Sequence, residues 1–280
     1  MLITIVSFLV VIAVIILAHE LGHFITAKAS RVKVEEFGLG YPPRLFGIKR
    51  GETLYSLNAI PIGGFTKMAG EEDPKIKRSL ASKGRGIRLL VLSAGSLMNA
   101  LLPLLLFSIA FMVPHNVVVG QVLVEEVAPN SPAAMVGIEP GDTLVSLNEK
   151  PVQNISNLQR YTYLNLGREV SLLIQHSDAT TEEVQIIPRW KPPEGQGAMG
   201  VLVSMTNQTT IRQHEPFWRA IPQGIGECIE TFVLFKNAIL SLIIGATSME
   251  IAGPVGIAQM TGEVAKAGIS PLLEFAAFLS

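Results

Sequence analysis

A chain of 280 residues has room for two water-soluble domains, but 49% hydrophobic and only 16% charged residues is too apolar a balance for that. A net charge of −1 with no basic patch gives no ground for nucleic acid as a partner. The lone cysteine, Cys228, excludes an internal disulfide and lends no support to a thiolate metal site. The class that remains is a membrane protein, in keeping with a mean hydropathy of +0.42.

The chain opens on "LITIVSFLVVIAVIILA", residues 2–18, which carry no charge; with the "FITAKA" beyond them they predict a helix long enough to cross a bilayer. Ala27-Lys28-Ala29 has the look of a signal-peptide cleavage site. A basic leader is missing, however, and cleavage there would discard the one unusual motif in the chain. That motif is His19-Glu20-Leu21-Gly22-His23, an H-E-x-x-H pattern. On a helix, residues four apart lie about 40° apart on one face, so both imidazoles can reach one zinc ion. Glu20 then faces a metal-bound water as the general base that takes its proton before attack on a peptide carbonyl. The plainer reading is a polar edge whose histidines bond interfacial groups. Against it stand the cost of ionisable groups in a span and the order of the three residue types, which is the order the chemistry requires.

Residues 28–88 hold thirteen Lys or Arg, which makes this segment cytoplasmic and puts the N-terminus and residues 114–219 on the outer side. Within it, "IPIGGFTKMAG", residues 60–70, combines turn glycines with β-type residues. Such a strand is either part of an ordinary hairpin or an open edge on which an extended substrate can pair. A second span is predicted over about 87–113, with Pro103 as a kink. Asn99 sits in it among Ala, Leu and Met, where a lone amide commonly bonds a neighbouring helix.

Residues 116–205 read as a soluble β-rich module: a short helix, a Pro140-Gly141-Asp142 turn, the strand "TLVSLN", a helix over 154–165, then the strands "EVSLLIQH" and "EEVQIIP". A third apolar segment over about 220–245 is the weakest, interrupted by Glu227, Glu230 and Lys236. "ISPLLEFAAFLS" begins a last apolar pattern, too short to span. His115, His176 and His214 lie outside the spans and take solvated or loop roles.

Several segments together resemble the site-2 protease family of intramembrane zinc metalloproteases, in its bacterial, PDZ-containing type. They are "HELGHF", "FGLGYPPRLFG" at 37–47, "YSLNAIPIGGFTKMAGE" at 55–71, "AGSLMNALL" and "EIAGPVGIAQ". The resemblance implies an α-helical multi-span membrane protein with a membrane-associated β-loop and an inserted α+β PDZ domain. The parts would be a membrane core over 1–113, the PDZ domain over 114–205, and a third span with the start of a last core helix over 206–280. It further implies one Zn2+ ion on His19 and His23, Glu20 as catalytic base, Gly63, Gly64 and Phe65 on the substrate, and Asn99 either on the substrate or stabilising the oxyanion. The substrate would be the transmembrane segment of a pre-trimmed single-span protein, such as an anti-sigma factor or a signal-peptide remnant, in the bacterial inner membrane, with the active site toward the cytoplasm.

Two features depart from the family pattern. Gly95-Ser96 stands where the family has glycine-proline, so only Gly95 and Asn99 carry over. The family's third ligand, an aspartate in an L-D-G motif, has no counterpart: Asp73, Asp142 and Asp178 are the only aspartates, and none lies in an apolar helix. The expectation is a sequence that stops short of that helix, with the third ligand beyond Ser280. "SPAA" followed by G-I-x-P-G-D-x-L-x-x-L-N is similar to bacterial PDZ domains, which take up peptide ends as an added strand or act as a size filter. The rival from another class is a catalytically incompetent membrane adaptor that binds peptide ends through that domain.

Overall fold

The structure, a computed structural model, describes residues 1–247 and 253–280. Its first element is a single helix, α1 (Leu2–Ala29), of 28 residues. At 1.5 Å per residue that is about 42 Å, enough to cross a hydrocarbon core of about 30 Å. The helix stops where Arg31 turns into the left-handed region at φ 55°.

Two long strands follow, β1 (Val34–Arg50) and β2 (Thr53–Met68), joined through Gly51 at φ 62°. Residues 36–39 of β1 are flanked on one side by residues 54–57 and on the other by residues 64–67. The stretch 64–68 is therefore an edge of this sheet. A small core of Ala27, Val32, Val34, Met68, Leu80 and Val91, with Phe24 against it, joins the root of the hairpin to the helices around it.

Helix α2 (Arg85–Met112) carries Pro103 without interruption. It crosses α1 at very short range, since a Cβ built on Gly22 would lie 2.3 Å from the Ala94 carbonyl oxygen. Only glycine admits so close a backbone approach, the small-residue device of membrane helix pairs.

The chain divides into two compact units. One holds α1, β1, β2, α2 and the two C-terminal helices. The other is built on β3 (His115–Val127), α3 (Pro132–Met135), β4 (Thr143–Leu147), β5 (Lys150–Pro151), α4 (Ile155–Leu164), β6 (Val170–Gln175), β7 (Thr181–Ile186) and β8 (Val201–Gln213). Its sheet runs β7-β6-β4-β3-β8, with β5 on β4. Alternating residues such as Val122, Leu144, Leu172, Ile174 and Ile186 fill the core behind it. Ser131 and Asn154 cap α3 and α4 by accepting from the amides of Ala134 and Asn157. The last strand runs on to Gln213, past the boundary at 205 expected from sequence.

Helix α5 (Phe217–Ile243) occupies the predicted third span, but only α1 and α2, among the described residues, are long and apolar enough to cross a membrane. The polar residues of α5 have structural work. Glu230 pairs with Lys150 at 2.5 Å and with Arg160 at 3.0 Å, and the Asn237 amide donates to the Tyr163 carbonyl at 2.7 Å. The helix is thus two-faced, with Ile225, Ile229, Phe232 and Phe235 exposed. Helices α6 (Pro254–Ala267) and α7 (Ile269–Leu279) complete the chain. Of the "EIAGPVGIAQ" stretch, residues 250–252 lie outside the described residues.

Candidate active site

The helical spacing does what the motif requires: Nε2 of His19 and Nε2 of His23 come within 3.2 Å. The two rings stand edge-on at 76°, with centroids 4.9 Å apart, so they converge at their nitrogens. Two ligands at about 2.05 Å from a tetrahedral zinc ion are separated by about 3.3 Å, so the pair already has the spacing of two corners of such a site. His23 is also held from behind. Its Nδ1 lies 2.7 Å from the Val91 carbonyl oxygen. Donation there puts the proton on Nδ1 and leaves the Nε2 lone pair for a metal, the usual role of a supporting carbonyl.

Helix α2 shapes the space in front of the nitrogens. A Cβ at Gly95 would fall 2.5 Å from Nε2 of both histidines. The cradle exists because residue 95 has no side chain. Val91, Gly95 and Asn99 recur every fourth residue and share a stripe of α2. Asn99 offers a buried side-chain oxygen, Oδ1, with no hydrogen-bond partner among the described residues, while its backbone carbonyl accepts from the Ser280 hydroxyl at 3.3 Å. Among the described residues, no group of three or more His, Cys, Asp or Glu is placed to hold a metal ion.

The edge strand of the hairpin reaches this site through Gly64, whose missing side chain would lie 3.0 Å from Cγ of Glu20 and 3.1 Å from Cγ2 of Ile16. Gly63, at φ 102°, lies under the Tyr41 ring, and the Phe65 ring covers Gly38. Of the three hairpin residues singled out from sequence, Gly64 therefore touches α1, while Gly63 and Phe65 pack within the sheet. Sequence reasoning missed Thr66, whose hydroxyl lies 2.8 Å from Oε2 of Glu20 and 3.0 Å from its backbone oxygen. Two-residue strand periodicity was the available signal, since it puts Thr66 on the same face as Gly64. His176 takes a part that its sequence position did not reveal, bonded to the buried Asp142 at 2.9 Å and to Glu182 at 3.2 Å.

Against known proteins, the family model for peptidase family M50 matches residues 7–280. The chain belongs to that family. It is 37% identical over 276 residues to a Clostridium perfringens protein named as a zinc metalloprotease, covering 97% of this chain and 79% of the relative. A Clostridium acetobutylicum protein of similar name is 35% identical over 275 residues, 95% of this chain and 76% of the relative. Among solved structures, the PDZ domain of an SdrC-like protein from Listeria innocua matches 31% of this chain and 97% of its own length, at 22% identity and a TM-score of 0.27.

Proposed function

We propose that this M50 peptidase is a zinc metalloprotease that hydrolyses a peptide bond in or beside the transmembrane segment of a pre-trimmed single-span membrane protein. The observation that carries the reading is the convergence of two Nε2 atoms at 3.2 Å, beside Glu20 and in front of the empty Cβ position of Gly95. A zinc ion held by His19 and His23 would acidify a bound water and polarise the scissile carbonyl. The remaining steps belong to the chain itself. Val91 fixes the tautomer of His23. Glu20 takes the proton from the attacking water and delivers it to the leaving amine. A third protein ligand, as catalytic zinc sites require, would complete the coordination.

Substrate handling follows from the hairpin and from α2. A helical peptide bond is shielded by its own hydrogen bonds, so the substrate must be extended before attack. The edge strand through Gly63, Gly64 and Phe65 supports pairing with such an extended segment, right beside Glu20. The Oδ1 of Asn99, unpartnered among the described residues, is an acceptor for a backbone N–H of that segment. The thirteen Lys and Arg of residues 28–88 support a cytoplasmic position for the hairpin in a bacterial inner membrane.

The β-module supports a peptide-binding role of PDZ type. Its edge strand β8 borders a groove of about 140 Å³ against α4, lined by Ile155, Leu158, Thr162, Met199, Gly200 and Val203. An extended peptide end fits there as an added strand. This groove is also what favours the rival reading, a membrane adaptor without catalysis. The deciding experiment is Glu20→Gln in the zinc-loaded protein with a model transmembrane substrate. Zinc content should persist while cleavage disappears. Unchanged cleavage would defeat the mechanism, and a zinc-loaded wild type that binds peptide ends without cutting would favour the adaptor.

A further inference from the structure

We infer that Thr66 is the positioning residue of the catalytic base: its hydroxyl anchors Oε2 of Glu20 and so aims the other carboxylate oxygen at the attacking water. This inference rests on the assignment of Glu20 as the base. The Thr66 hydroxyl has a single proton and, among the described residues, two oxygens within reach, Oε2 of Glu20 at 2.8 Å and the Glu20 carbonyl at 3.0 Å. The carboxylate is both nearer and charged, and charge-assisted bonds are the stronger kind, so the proton goes to Oε2.

The donor is well held. Thr66 lies in β2, in register with Phe37, and a β-branched side chain has few χ1 rotamers to choose from. The acceptor needs holding, because a glutamate on a helix has three rotatable bonds, and an untethered carboxylate sweeps a volume far larger than proton transfer tolerates. The space around Glu20 is restricted on the same side by Gly64, which allows the strand to come within 3.0 Å of its Cγ. Gly64 and Thr66 occupy alternate positions of one strand, so the strand proposed to receive substrate also carries the group that orients the base.

The test compares Thr66→Val, which keeps the shape and loses the hydroxyl, with Thr66→Ser, which keeps the hydroxyl and loses a methyl. Both are made in the full-length, zinc-loaded protein and assayed on a model transmembrane substrate beside wild type and Glu20→Gln. Thr66→Val should lower kcat about tenfold with KM within about twofold of wild type, and Thr66→Ser should stay within about twofold in both, for loss and retention of one charge-assisted bond. Zinc stoichiometry should be equal in all four proteins.

An independent readout uses metal-free protein. The infrared difference between each protein and its Glu20→Gln partner isolates the Glu20 carboxylate stretch. That band should shift in Thr66→Val and not in Thr66→Ser. Wild-type kcat in Thr66→Val, an unshifted band, loss of zinc, or Thr66→Ser falling as far as Thr66→Val would each overturn the inference. If Glu20→Gln itself still cuts, the base assignment fails and this inference falls with it. An inactive Glu20→Gln beside a fully active Thr66→Val overturns this inference alone.

Discussion

Replacing Gly95 with alanine sets two effects of known size against each other. In a helix interior alanine is favoured over glycine by about 0.5–1 kcal/mol, so propensity alone makes Gly95→Ala a stabilising change. The new Cβ would lie 2.5 Å from Nε2 of both His19 and His23, however, nearly 1 Å inside ordinary contact with two rings at once. Forcing a methyl into a packed site costs about 1–3 kcal/mol. The rings can relieve it by turning away, but metal ligation tolerates only about 0.2 Å. At 1.4 kcal/mol per tenfold, that strain weakens zinc binding by about 5- to 150-fold. The helix itself should remain intact. Zinc affinity, measured by competition with a chelator, should therefore fall while helical circular dichroism is preserved. Gly86→Ala is the control, because a Cβ there meets nothing within 4 Å among the described residues. A Gly95→Ala protein that holds zinc as tightly as wild type would refute the cradle and the orientation of the two rings with it.

Other expectations concern the β-module. The Asp142 carboxylate and, second, Glu182 hold the His176 imidazole above its ordinary pKa. A raised folded-state pKa means that the contribution is fully present below the unfolded value of about 6.5 and is lost as pH rises through the folded value. Hydrogen exchange of the β4 and β6 amides in the full chain, corrected for intrinsic rate, should therefore show protection declining with rising pH in wild type and not in His176→Gln. Leu172 is fully buried, and Leu172→Ala should cost about 2–5 kcal/mol of module stability, seen as accelerated proteolysis of residues 114–213. Gly200 sits at φ 80° with its Cβ position 2.3 Å from Cβ of Ser131. Gly200→Ala should destabilise the groove beside α4 by more than the about 1 kcal/mol that left-handed strain alone costs, because it also pushes on the cap of α3. The same proteolysis assay would report it.

Elements whose signal is local were readable in advance. The H-E-x-x-H spacing needs only a helix to bring two imidazoles together, and an uncharged run from Leu2 onward leaves no alternative to a helix. In the module, turn residues and two-residue alternation located β4, α4, β6 and β7 closely, because each is a short segment with its own start and stop. Residues 220–245 show where local reading ran short. Their apolar content suggested a span, but Glu230 and Asn237 have partners some 70 residues away in sequence, and those partners make α5 a two-faced helix.

The sequence by itself determined the family, peptidase M50, and the candidate chemistry: two histidines and a glutamate in H-E-x-x-H spacing on an apolar helix. Only the tertiary structure decided how that chemistry is held. The Val91 carbonyl on His23 comes from 68 residues away and the Thr66 hydroxyl on Glu20 from 46, while the open space at Gly95 depends on how closely α1 and α2 cross. Spacing along one helix is set by backbone geometry, whereas contacts between elements depend on register and crossing distance, which no local pattern encodes.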